Sequence, residues 1–521
     1  MKKNLIGGAL LFGILLVLIF AIKMVLPLLQ DSNQKSTSDA TRTQGKISID
    51  IDNWVGYFHY RSPEFKKALR AKGWNLVVND DDADYPTRMQ RLNDGDIEFA
   101  VVTVDSYILN ATKHDYPGVI INVIDRSKGG DVIVARRDRL TNIDGLKGQT
   151  NIRVGFTPSS PSHHLLKAVS VDFDVPEILP TKKGLRFETN GSEEAREMLL
   201  AGKLDVAALW EPDVSKALSD SNIVKLIGSE QVGNLIVDIL VVSRDFASKN
   251  PVAVKTFLKE YFKVMKKYKK DPALLMSDVK KDTGASEAEV QSMLKGIHWV
   301  NLTENCEKWF GVVDSGGEAL LDTIDATVNI LVDAGDFDSN PLPDEDPRRI
   351  VNSTFLTDVY QNSVSGFKFA GAGQKNVPAN SLETKFSQIS EVEWDSMRDV
   401  GTLKVEPIIF QRGTDTLDLL AKQVIDASAE KLKRYPAFRV EVKGHTGTKG
   451  DVEENRDLSQ RRADAVARYL NITFGVDSNR LHVVGYGGTD PLPQRGGEKE
   501  GDRSYQYRLP RVELLLVRED I

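Results

Sequence analysis

Residues 46–51, KISIDI, form a β-like run, and residues 63–73, PEFKKALRAKG, form a helical stretch. The same alternation continues through IEFAVVTV (97–104), GVIINVI (118–124), DVIVARR (131–137), IRVGFT (152–157), SEEAREMLLAGK (192–203) and DVAALW (205–210). Strands alternating with helices imply βαβ units and a mostly parallel sheet. The span to Asn362 is too long for one simple doubly wound unit, so residues 46–362 are expected to form a two-lobed α/β domain with a cleft between the lobes. In open α/β sheets ligands sit where strand C-termini meet helix N-termini.

Toward the N-terminus, Leu5 to Ile22 (LIGGALLFGILLVLIFAI) carries no charge, and a second apolar stretch follows Lys23 to Leu29. That length covers the ~20 residues a membrane-spanning helix needs. A cleaved signal peptide would have a shorter apolar core closed by a small-x-small site. Residues 1–30 are therefore expected to be a single-pass anchor. Lys2 and Lys3 keep the N-terminus in the cytoplasm, and the rest of the chain would face the periplasm. The polar stretch 31–45 reads as a linker.

With 521 residues, 68 Lys+Arg against 75 Asp+Glu and a net charge of −7, the chain should hold more than one domain. It offers no basic field for nucleic acid, which is excluded as a partner. Cys306 is the single cysteine, so an internal disulfide, a cysteine-rich zinc site and an iron–sulfur cluster are excluded. There is no Gly-x-Ser-x-Gly elbow, phosphate loop or HExxH, so no enzymatic activity and no cofactor is expected.

Asn53-Trp54-Val55-Gly56-Tyr57, the turn 92–98 (LNDGDIE), Ile143-Asp144-Gly145-Leu146-Lys147-Gly148, the segment 157–164 (TPSSPSHH) and Trp210-Glu211-Pro212 occur in an order that resembles the nitrate/sulfonate/taurine/thiamine-precursor group of periplasmic solute-binding proteins. The resemblance implies a Venus-flytrap receptor closing on a small-molecule solute. Ser159, Ser160 and Ser162 open an apolar helical run and could offer hydroxyls and N–H groups to an anion, or merely cap the helix. Trp54, Tyr57 and Trp210 could stack on a ligand or belong to the core. Glu211 binds a ligand donor or caps a neighbouring helix. Asp105, Asp131 and Asp238 stand where the family lines its cleft, and carboxylates there suit an amine. The solute class stays open between a phosphate- or sulfonate-like anion, an amine and a zwitterion. His163 and His164 read as solvated or capping residues and make a poor metal chelate, so no metal is expected. The acidic run 79–84 reads as a solvated loop.

Residues 363–392 are rich in small and polar residues and read as a linker. Beyond them, strands at 403–410, 438–443, 481–486 and 512–517 and helices at 417–434 and 455–474 make a small βαβαβ-type unit over 393–521. Gly444-His445-Thr446-Gly447 followed by Asn455-Arg456-Asp457-Leu458-Ser459-Gln460-Arg461-Arg462-Ala463 resembles the OmpA-like peptidoglycan-binding domain. The resemblance implies that Thr446, Gly447, Asn455 and Arg462 occupy the wall-binding site. It implies that Arg462 grips the stem carboxylate, while the family's aspartate is replaced by Gly447. Asp451 is a candidate substitute carboxylate. The expected whole is an inner-membrane receptor that associates with peptidoglycan and signals to an inner-membrane protein partner. The alternative is a structural envelope scaffold whose lobes bind a protein.

Overall fold

The computed structural model describes residues 44–313, 317–364, 386–408, 410 and 413–519. The expected anchor at 1–30, nearly all of the 31–45 linker and most of 363–392 lie outside the described residues. Among the described residues no helix is long and apolar enough to cross a membrane.

Strands β1 (Gly45–Ile51), β2 (Trp74–Asp80), β3 (Phe99–Thr103) and β4 (Gly118–Ser127) begin the first sheet. The chain then crosses to a second sheet of β5 (Asp131–Arg136), β6 (Val154–Phe156), β7 (Arg186–Glu188), β8 (Val206–Trp210) and β9 (Ile223–Gly228). It returns as β10 (Val237–Ser243) and β11 (Ile297–Trp299). The strand orders are β11-β4-β10-β3-β1-β2 and β7-β6-β8-β5-β9.

Helical crossovers make β1 parallel to β2 and β3, and β6 parallel to β7 and β8. The helix Pro63–Arg70 between β1 and β2 begins on Ser62, whose Oγ accepts from Phe65 N at 3.2 Å, and it buries Phe65 and Leu69. The sheets are mixed rather than mostly parallel, because β10 runs antiparallel to both β3 and β4, and β5 antiparallel to both β8 and β9. The reason is the traffic between lobes: β4 carries the chain out and β10 carries it back. The outgoing and returning segments lie side by side, with Ser127 N donating to Ile236 O at 3.2 Å. Ser229 Oγ braces them, meeting Ser127 Oγ at 2.7 Å and accepting from Gly129 N at 2.8 Å.

The third unit comprises β12 (Arg398–Leu403), β13 (Arg439–His445), β14 (Leu481–Gly487) and β15 (Arg511–Arg518), in the order β12-β15-β13-β14, with helices Leu419–Lys433 and Val452–Phe474. Its first strand lies at 398–403, not 403–410. At Lys404 the backbone N–H leaves the sheet and donates to Asp172 O at 2.7 Å. The unit also begins earlier than residue 393, since Phe386 N donates to Asp477 and Arg439 Nη2 donates to Ser387 O at 3.1 Å.

The cores show how the units are joined. The first lobe has its own. In β5 alternate residues face opposite ways, with Val132 and Val134 in a small core of the second lobe. Ile133 and Ala135 lie in a core that continues without a break through Phe173 into Val400, Tyr435 and Leu516 of the third unit. Around it Asp172 accepts from Arg434 Nη1 at 2.7 Å and from Tyr435 Oη at 2.8 Å. The free edge of β12 is covered as well: Ile143 N donates to Val400 O at 2.9 Å, and Thr402 N donates to Asp144 at 2.9 Å.

Candidate functional site

At the cleft end of the first sheet, the register sets Trp299 opposite Asp125, Asp125 opposite Asp238, and Asp238 opposite Thr103. At the cleft end of the second, Asp131 stands opposite Trp210. Between them lies a cavity of about 30 Å³ lined by Asp52, Asn53, Trp54, Tyr57, Tyr85, Asp131, Pro161, Trp210 and Asp238, with Ala83 and Ile236. That is room for a water-sized group, against roughly 300–1,000 Å³ for a typical ligand pocket. The lobes are shut on each other.

Tyr57 Oη donates to Asp238, and Trp54 Nε1 lies 3.4 Å from Asp125 Oδ1. Asp131 accepts from Ser162 Oγ at 3.0 Å. Asp52 accepts from Trp54 N at 3.0 Å and from the buried Arg88 at 3.2 Å, and Arg88 also pairs with Asp81. Asp105 is buried without a hydrogen bond of good geometry, the nearby Thr103 hydroxyl donating instead to Ser106 at 2.9 Å. Burial pushes the acid form of these groups up, to about 6 for Asp105 and Asp131 and about 7 for Asp125. Asp238 is raised well above the ordinary carboxylate value by burial and by the neighbouring Asp125.

Trp54, Tyr57, Asp131, Trp210 and Asp238 therefore meet at one cavity, while other sequence candidates have different work. Ser160 is a cap, its Oγ accepting from His163 N at 3.2 Å and donating to Thr157 O at 2.7 Å. Ser159 turns in the left-handed region with φ 56°, and its carbonyl accepts from Ser106 Oγ at 2.7 Å. Neither presents an anion site, and the Ser162 hydroxyl is spent on a carboxylate. Glu211 faces away from the cavity and holds Ser215, accepting from its Oγ at 2.6 Å and its N at 3.1 Å at the start of the helix Asp213–Leu218. His163 and His164 are not solvated: both are buried, His163 stacks on Phe156 at 4.3 Å, and burial lowers them to about 2 and about 3. In the 79–84 run, Asp81 pairs with Arg88 and Asp84 caps the helix Tyr85–Asp94.

Asp52, Tyr85, Asp125 and Arg88 were not singled out from the sequence. Asp125 carried a signal, a lone carboxylate closing the apolar run 118–124. The others depend on which loops converge.

In the third unit, Thr446 is buried and its N–H donates to Gly487 O at 2.8 Å. Asn455 Nδ2 donates to Lys449 O at 3.0 Å. Arg462 is buried with Nε donating to Thr414 O at 3.0 Å and its guanidinium 4.9 Å from the Phe410 ring centre. Gly447 is not in the left-handed region, and a Cβ there would meet only Gln506 Oε1, at 3.5 Å. Asp451 is not a stand-in carboxylate: it caps the helix Val452–Phe474, accepting from Glu453 N and Glu454 N at 3.0 Å.

Residues 409–504 match the model of the OmpA family. The peptidoglycan-associated lipoprotein of Brucella melitensis is 29% identical over 121 residues, covering 23% of this chain and 71% of that one. The two-lobed part is similar to the alkanesulfonate-binding protein SsuA from Xanthomonas axonopodis pv. citri bound to MOPS, at 16% identity and TM-score 0.45, covering 60% of this chain and all of that one (100%). It is also similar to the desulfurization enzyme DSZB, at 10% identity and TM-score 0.43, covering 61% of this chain and 100% of that one. The chain joins a two-lobed α/β unit to a C-terminal unit in which residues 409–504 match the OmpA family model.

Proposed function

We propose that this protein is a non-enzymatic cell-envelope receptor that binds a small solute between its lobes and associates with peptidoglycan through its OmpA domain. The observation that carries the reading is the convergence of aromatic and carboxyl side chains from both lobes on one shut cavity, beside a crossing of two braced segments about which the lobes can open. A receptor of this kind closes because ligand binds the closed form better, a shift of population rather than a force. In this reading the 1–30 segment anchors the chain in the inner membrane and an inner-membrane protein reads the closed form.

A thermal-shift screen of anions, amines and zwitterions tests the solute. Binding at 100 times Kd stabilises by about 2.7 kcal/mol. The small size of the cavity favours a second reading, in which the lobes stay shut and form a platform for a protein partner. No thermal shift with any small molecule would replace the receptor with that scaffold.

A further inference from the structure

We infer that the interlobe cleft, opened beyond the about 30 Å³ of its shut form, takes an organic cation, an ammonium or protonated nitrogen heterocycle, seated against Asp238 and Asp131 and walled by Trp54, Tyr57, Tyr85 and Trp210. The inference rests on the receptor reading and names its ligand class. No lysine, arginine or histidine is among the residues lining the cavity. An anion would find only the N-terminus of the helix Pro161–Asp172, and there Ser162 already donates to Asp131. Tryptophan and tyrosine faces attract ammonium groups through their quadrupoles.

The second, independent observation lies behind Asp238. Its partner in the β4–β10 register is Asp125, buried, with Oδ2 reaching no donor. Gly56 makes the approach possible, since a Cβ there would stand 2.4 Å from that oxygen. Two carboxyl groups so placed do not both ionise. In the empty cleft one proton is shared between Asp125 and Asp238. When a cation enters, that proton leaves to solvent, both carboxylates become charged, and the net charge of the site is unchanged.

The groups facing this pair from each side agree with that exchange. Asp52 pairs with Arg88, which it shares with Asp81, Tyr57 donates to Asp238, Trp54 donates to Asp125, and Asp131 and Asp105 add negative charge. Tyr60 and Tyr261 lie near Asp125 as neutral phenols, each raised by burial.

Calorimetry on the full chain with tetramethylammonium, ethanolamine and benzylamine, against methanesulfonate, phosphate and nitrate, tests the proposal. Expected is binding of a cation and of no anion, weakened at least tenfold by Asp238→Asn. Tetramethylammonium does not titrate, so its affinity should rise with pH over the range in which the pair holds its shared proton, approaching tenfold per unit where one proton is displaced. Asp125→Asn, isosteric and relieved of the like-charge pair, should fold and lose that pH dependence above about 6, where Asp131 is already ionised. Binding of an anion with no response to cations overturns the inference and leaves the receptor reading standing. Cation binding that is indifferent to both substitutions also overturns it. No response to any compound removes the receptor reading and the cation with it.

Discussion

Trp54 and Glu211 look alike in the sequence, each a side chain just past a strand, yet only Trp54 borders the cavity. Trp54→Ala should cost a bound solute on the order of 2 kcal/mol, as truncation of a buried aromatic anchor does. Glu211→Gln should leave affinity unchanged, because its oxygens hold Ser215. Calorimetry with an identified solute separates them, and equal losses would move the pocket toward Glu211. In the OmpA domain, Gly447→Asp is free of the backbone strain that a left-handed glycine would impose. It should strengthen sedimentation with purified sacculi about tenfold to a hundredfold, the return from one charge-assisted hydrogen bond of about 1.5–3 kcal/mol. Arg462→Ala should abolish that gain. Strong binding by the wild type that Arg462→Ala leaves intact would assign wall association to another surface.

At the level of elements, β4, β5 and β10 bring carboxyl groups out of water, while the helix Pro161–Asp172 and the turn after β1 bury histidines. The two act on stability with opposite sign. Asp125 and Asp131 titrate above the unfolded value near 3.9, at about 7 and about 6, so the folded state binds more protons in between and stability falls as pH rises from about 4 to 7. His59, His163 and His164 are lowered to about 3, 2 and 3. There the unfolded chain binds more protons below about 6.5, and stability rises with pH up to that point. The two trends partly cancel in the wild type, so a difference measurement is needed. Relative to wild type, Asp125→Asn should gain stability progressively as pH rises from 5 to 7.5 in thermal melts. A parallel pair of curves would mean that the Asp125 carboxyl does not share a buried proton.

For the whole molecule, the continuous core fixes the OmpA domain to the second lobe, so the first lobe is the part expected to move when the cleft opens. Asp172 is a polar link at this joint, wholly buried against Arg434 and Tyr435. Asp172→Ala leaves the partly buried Arg434 unpaired and should cost about 3 kcal/mol, the low end for a broken buried pair. Urea unfolding should show the second lobe and the OmpA domain melting together in the wild type. An OmpA domain that unfolds separately with unchanged midpoint in Asp172→Ala would contradict the shared core.

The sequence by itself determined the alternation of strands and helices, the two-lobed α/β class and the OmpA-like unit, because each is written in local periodicity or in a contiguous motif. It also marked Trp54, Tyr57, Asp131, Trp210 and Asp238, which lie at strand ends or in the turn after β1 at the cleft. Only the tertiary structure decided that Glu211 and Ser160 serve helix starts, that Asp125 faces Asp238, and that Arg88 pairs with Asp52. The contacts of Ser160 and Glu211 span three and four residues, and capping was among their readings in the sequence, whereas the last two relations depend on cross-strand register and on loops separated by tens to more than a hundred residues. The same holds for the union of the OmpA domain with the second lobe. An apolar Phe173 or Tyr435 reads as core in either unit, and nothing local tells which partner it packs against.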